Sequence, residues 1–123
     1  MKPGLILFAH GSRDPRWAEP FESIRAALSR SEPGLAVRLA YLEFMAPTLD
    51  DAADALVAEG CTRLDVLPLF LGTGGHLRRD LPPMVQAVMQ RHPSVQARLH
   101  PAAGEAPALV AAMAEHALSL ARS

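Results

Sequence analysis

An α/β fold with an all-parallel sheet is what this chain predicts. Short apolar runs alternate with longer segments of helical spacing, and that alternation marks βα units. Capping residues, glycines and prolines stand where such units should begin and end. Connections between parallel strands are right-handed and local, which leaves a doubly wound sheet in the order 2-1-3-4 as the simplest arrangement of four strands. The expected architecture is a three-layer sandwich with helices on both faces, built as a single domain over residues 1–123.

The first strand is Leu5 to Ala9. Asp14-Pro15 then reads as an N-cap with proline in the first helical position, and Trp17, Phe21, Ile24 and Leu28 follow at helical spacing. Glu32-Pro33-Gly34 ends that unit, and a second strand runs from Leu35 to Leu42. Thr48 with Asp51 makes a capping box with a shorter acid, opening a helix whose face is Leu49, Ala52, Ala53, Leu56 and Val57 and whose stop is Gly60. The third strand, Leu64 to Phe70, should end close to Pro68, because proline cannot donate to the ladder. The third helix is expected to open at Asp80, so that Pro82 and Pro83 fall in its first turn, and to stop before His92-Pro93. A fourth strand covers Val95 to Leu99. The last helix starts near Pro107 and should pack Leu109, Val110, Met113, Ala117 and Leu120.

Composition narrows the function classes. The chain has 123 residues, half of them hydrophobic, which suits one globular core. A formal net charge of -1 argues against a nucleic-acid-coating protein, which needs a basic face. A single cysteine, Cys61, cannot supply an internal disulfide, a cysteine-rich zinc site or an iron–sulfur cluster, and is expected to be a small apolar filler. The N-terminus runs straight into a strand without a signal-peptide pattern, and no apolar run approaches membrane-spanning length, so the expected location is the cytoplasm, with no membrane partner.

In an open α/β sheet, ligands bind beyond the carboxyl ends of the strands where the winding reverses. His10 follows strand one, His76 follows strand three, and Glu43 follows strand two next door. Imidazole, carboxylate and imidazole form a set that takes a first-row transition metal. Each has a plainer reading: a strand-capping histidine, an exposed loop acid, a histidine on a flexible glycine loop. Gly11 beside His10, and Gly74 and Gly75 before His76, favour close backbone approach by a ligand. Arg13, Arg16, Arg78 and Arg79 lie near the two histidines and could receive substrate carboxylates, or could pair with Asp14, Glu19, Glu22 and Asp80. His92 should bond free carbonyls at a helix end, His116 should sit on a helix surface, and His100 remains a distant candidate on the same sheet edge.

Three stretches carry a resemblance: Leu7 to Pro15, containing Ala9-His10-Gly11-Ser12-Arg13; Ala40 to Leu49, containing Leu42-Glu43-Phe44-Met45-Ala46-Pro47; and Val66 to Pro82, containing Gly72-Thr73-Gly74-Gly75-His76. In this order they resemble the class II tetrapyrrole chelatases, in particular sirohydrochlorin chelatases of the CbiX/SirB type. The resemblance implies ATP-independent insertion of a divalent metal into a modified tetrapyrrole. It makes His10 and His76 metal-binding histidines and Glu43 an active-site glutamate. Many relatives are about twice as long, and the short form they leave behind pairs as a homodimer. The chain lacks the histidine-rich tract and cysteine cluster of some relatives, so no iron–sulfur centre is expected. Co²⁺ is the first expectation for the metal, with Fe²⁺ and Ni²⁺ behind it. The rival readings are a metal carrier that never acts on a tetrapyrrole and a histidine phosphatase; the second wants an arginine directly before the histidine, where Ala9 stands.

Overall fold

The computed structural model describes residues 2–123. Four strands, β1 (Pro3–Ala9), β2 (Ala36–Tyr41), β3 (Arg63–Pro68) and β4 (Gln96–Leu99), pair in parallel in the order β2-β1-β3-β4. The helices are α1 (Glu19–Ser31), α2 (Leu49–Ala58), α3 (Gly75–Arg91) and α4 (Pro107–Ala121), with 3-10 turns at Pro15–Ala18 and Ala103–Glu105. The winding therefore reverses between β1 and β3, as the sequence predicts.

Strand side chains alternate between the two faces. Ile6, Phe8, Leu64 and Val66 point to one face and meet Leu49, Leu56, Leu81, Val85 and Val88 from α2 and α3. Leu7, Ala9, Val37, Leu39 and Tyr41 point to the other and meet Trp17, Phe21 and Leu28. Full burial of a side chain such as Ile6 or Phe8 contributes about 1.5–3 kcal/mol. Cys61 is the expected filler: it is buried, and a Cβ on Gly4 would stand 3.0 Å from its Sγ. Burial pushes its thiol pKa up, away from reactive thiolate.

The local signals act as expected in most places. Asp14 Oδ1 accepts the Arg16 N–H at 3.0 Å and caps the first 3-10 turn. Thr48 and Asp51 exchange both capping-box bonds at 3.2 Å. Gly60 closes α2 at φ 96°, and β3 ends at Pro68.

Three expectations are overturned. Helix α3 opens at Gly75 rather than Asp80, so Pro82 and Pro83 lie inside it. They cannot bond back to the carbonyls of Arg78 and Arg79, but both prolines are exposed, so water can reach those acceptors. His92 does not turn to free carbonyls; its Nε2 lies 2.7 Å from Asp54 Oδ1 and ties α3 to α2. That hydrogen bond, helped by Arg91, holds the Asp54 carboxyl below its usual range. The third concerns α4: every residue of it except Leu109 is exposed, so the face expected to reach the core does not. Among the described residues, no helix is long and apolar enough to cross a membrane.

On the α1 face, β3 and β4 carry an ion cluster. Asp65 Oδ1 meets Arg98 Nε and His100 Nε2, each at 2.8 Å, and Asp65 Oδ2 meets Arg63 Nε at 3.2 Å. Burial pushes the Asp65 carboxyl up, but the bonds from His100 and Arg98 and the two guanidinium charges outweigh it, and its pKa is lowered. A lowered carboxylate contributes stability that is full above its unfolded pKa and lost as pH falls through the folded value. Asp65→Asn should therefore lower stability at pH 7 by about 1–3 kcal/mol. In thermal melts the gap to wild type should narrow as pH falls below the ordinary carboxylate range; a gap of constant size would mean the charge is not responsible.

Candidate functional site

The loops after β1 and β2 are zipped together. The ladder runs on past the strands, with Leu42 N–H donating to Ala9 O at 2.9 Å and Glu43 N–H to His10 O at 3.0 Å. Gly11 makes the approach possible: its φ is 99°, and a Cβ there would stand 1.9 Å from the Glu43 carbonyl oxygen. Only glycine fits. The result is that His10 Nε2 lies 3.4 Å from Glu43 Oε1, with the two side chains 48% and 46% exposed. The carboxylate can orient the imidazole, while open solvent around both leaves room for a third partner.

Aromatic side chains lie next to this pair in space or in sequence. Phe70 approaches His10 edge-on at 6.4 Å between ring centroids. Phe44 and Leu71 are large hydrophobics left exposed, and the Arg13 guanidinium sits 4.8 Å from the Phe44 ring centroid. Phe44 is also held at φ 67°, a left-handed conformation that a bulky residue adopts only under strain. Phe44→Gly should relieve that strain and raise stability by about 1 kcal/mol. A fall in unfolding midpoint would show instead that the exposed ring holds the loop together.

His76 stands apart from the pair. Gly74 is the N-cap of α3 and Gly75 its first residue, and His76 Nε2 pairs with Asp80 Oδ2 one turn on, at 3.0 Å. Among the described residues, no three His, Cys, Asp or Glu side chains stand close enough together to hold a metal ion. The structure thus brings His10 and Glu43 together and leaves His76 exposed at the opening of α3.

The arginines divide. Arg13 covers Phe44, Arg16 returns to Asp14 at 3.1 Å, and Arg78 reaches Glu105 at 3.8 Å. Arg79 is exposed, and its guanidinium makes no ion pair among the described residues. His100 is engaged with Asp65 and does not join the pair. Sequence reasoning missed Phe44, Phe70 and Leu71, which it treated as neighbours of Glu43 or as strand and loop. It also missed the tie between His76 and Asp80, whose i, i+4 spacing becomes meaningful only once the helix starts at Gly75.

A family model described as CbiX matches residues 4–120. A sirohydrochlorin cobaltochelatase of Saccharolobus solfataricus is 39% identical over 79 residues, 64% of this chain and 60% of the relative. A sirohydrochlorin ferrochelatase of Priestia megaterium is 30% identical over 95 residues, 75% of this chain but 35% of the relative. The chain thus aligns with less than two thirds of either curated relative. A crystal structure from Marinobacter aquaeolei, assigned to cobalamin (vitamin B12) biosynthesis as a CbiX protein, superposes with a TM-score of 0.86 at 36% identity, covering 98% of this chain and 99% of that one. With the His10–Glu43 pair beyond the carboxyl ends of β1 and β2 and the family match running almost end to end, this chain belongs to the CbiX family.

Proposed function

We propose that this protein inserts a divalent metal into sirohydrochlorin or a closely related tetrapyrrole, without ATP, as a homodimer. The observation that carries the proposal is the half-exposed His10–Glu43 pair, with the Phe70 ring edge-on to His10 and the exposed Phe44 following Glu43 in the chain. A flat macrocycle offers apolar faces, a carboxylate fringe and central N–H groups. It needs all three features of this edge: apolar contact, cationic side chains and a base. The names of the relatives, which include a cobaltochelatase and a ferrochelatase, support the same substrate and metal classes.

Insertion exchanges two pyrrole N–H protons for one M²⁺, so the macrocycle's net charge is unchanged. The incoming ion sheds water as the ring nitrogens bind it. His10, oriented by Glu43, would hold the ion or take a pyrrole proton. His76 would supply the second imidazole; it must leave Asp80 to do so, and the glycines before it have open space around them. The uncapped N–H groups at the start of α3, with Gly74 and Gly75 at its mouth, can receive a substrate carboxylate. Arg13, Arg16, Arg78 and Arg79 are the side chains proposed to meet the others.

Co²⁺ is the favoured metal, with Fe²⁺ and Ni²⁺ as alternatives, since imidazole and carboxylate accept all three. A metal carrier is the second reading. It is disfavoured because the half-exposed pair leaves the ion's other positions open to an incoming nitrogen rather than enclosing it. Anaerobic absorption spectroscopy of sirohydrochlorin with each metal, with and without protein, separates the two. Band shifts faster than the spontaneous reaction support insertion and rank the metals. Tight metal binding without acceleration makes the protein a carrier.

A further inference from the structure

We infer that the Phe44 ring is the platform on which one face of the macrocycle is laid, and that Arg13 covers this platform in the empty protein and passes to the substrate's carboxylate fringe when the macrocycle arrives. The identity of the ligand rests on the insertion reading above; the role of the ring rests on its own geometry.

Phe44 is unfavourable on two counts. Among the described residues it is the one non-glycine residue at positive φ, 67°, and its side chain is left 56% exposed. A bulky residue holds a left-handed backbone only where the surrounding structure imposes it. An exposed phenyl ring recovers little of that cost through burial. Its apolar neighbours behave differently: Leu42 packs against the core on the α2 and α3 side of the sheet, and Met45 against the core on the α1 side. Of the apolar side chains in Leu42–Met45, Phe44 alone is left to water.

The exposed ring does not come from a slack loop. Leu42 N–H donates to Ala9 O at 2.9 Å and Glu43 N–H to His10 O at 3.0 Å, and Tyr41 N–H donates to Pro47 O at 2.9 Å across the base of the loop. Between these bonds the chain must turn, and the left-handed residue falls on Phe44. Glycine or asparagine suits such a position far better. Backbone strain that persists at a site is most simply explained by what the strained residue contacts there.

Position selects the ligand. Glu43 places its carboxylate 3.4 Å from His10 Nε2, and the Phe44 Cα follows about 3.8 Å along the chain from that of Glu43. Arg13, three residues after His10, brings its guanidinium 4.8 Å from the Phe44 ring centroid, so the ring also borders the His10 loop. A macrocycle whose central nitrogens reach the His10 imidazole spreads beyond it on all sides, and a conjugated face packs offset on a phenyl ring. A hydrated divalent ion needs oxygen or nitrogen donors, which the ring lacks, so Phe44 serves the macrocycle and not the metal.

Arg13 completes the device. Its guanidinium makes no ion pair among the described residues and lies over the Phe44 ring instead. A cation on an exposed ring is held less strongly than one paired through two bonds to a carboxylate. A carboxylate at the rim of the arriving macrocycle therefore draws the guanidinium off the ring as the macrocycle takes its place.

Anaerobic titration of sirohydrochlorin with protein, in the absence of metal, reads macrocycle binding from the change in its absorption bands. Phe44→Gly should weaken that binding by about 10-fold or more. Its melting temperature should not fall, and its KM for Co²⁺ should be unchanged. Phe44→Trp should bind as tightly as wild type. Arg13→Ala should weaken binding and reduce its dependence on ionic strength, since one charged contact is lost; an unchanged salt dependence overturns the transfer of Arg13. Should the glycine variant fail to fold, Phe44→Asn takes its place, because asparagine tolerates the left-handed backbone. Wild-type affinity in the variant overturns the platform. Equal losses of macrocycle and metal binding with a lowered melting temperature overturn it too, because the ring then only holds the loop. Insertion that proceeds at the wild-type rate and with wild-type macrocycle affinity in Phe44→Gly removes the platform and leaves the insertion reading standing. Binding that depends on Phe44 without accelerated insertion does the reverse, and a wild type that does not bind sirohydrochlorin overturns both.

Discussion

With sirohydrochlorin and Co²⁺, His10→Ala is expected to lower the enzyme-catalysed rate of band shift by about 10²–10⁴-fold, the range that loss of a positioned acid–base group produces. Stability should hardly change, because the His10 side chain is about half exposed and its replacement opens no cavity. Glu43→Gln should cost less than His10→Ala, since the amide oxygen can still orient the imidazole. The comparison needs rate and melting temperature on the same preparations. Retention of the full rate in His10→Ala would remove this histidine from the chemistry, and equal losses in the two variants would mean that the carboxylate acts on metal or substrate directly.

Gly11→Ala is expected to be the most damaging single methyl group at this edge. Its Cβ would stand 1.9 Å from the Glu43 carbonyl oxygen, at a φ of 99° that alanine adopts only under strain. The clash is with backbone, so no rotamer change relieves it, and the two loops must separate. A loss of about 2–4 kcal/mol of stability is expected, on the scale of overpacking combined with backbone strain. Activity should fall with it even below the melting transition, because His10 and Glu43 lose their register. Normal activity in a variant of lowered Tm would show that the zipped ladder supports the fold but does not set the pair.

Topology and the first-turn chemistry were legible because local rules and the global arrangement agree. Asp14-Pro15, Thr48 with Asp51, Gly60 and Pro68 each act where their residue type predicts. The opening of α3 was not legible, since proline argues against a helix interior and only the exposure of Pro82 and Pro83 makes it tolerable there. The place of α4 was hidden for a different reason. Its apolar spacing asks for a buried face, and periodicity alone does not say whether the rest of the chain provides one. In the candidate site, His10 and Glu43 could be placed side by side from strand order alone. The left-handed Phe44 could not, because a strained φ is imposed by the surrounding loops rather than by the residue's own preference.

In the proposed site, with His76 as the second imidazole, Pro82 and Pro83 would give the two sides unequal stiffness. One jaw, carrying His10, is clamped by backbone bonds to the neighbouring loop. The other, carrying His76, rides on the first turns of α3, where Pro82 and Pro83 remove two of the helix's own hydrogen bonds. A vice with one fixed and one sprung jaw would grip ions of different radius about equally well. Discrimination among Co²⁺, Fe²⁺ and Ni²⁺ would then fall to how fast each ion sheds its water and which ion the cell supplies, more than to the bore of the grip.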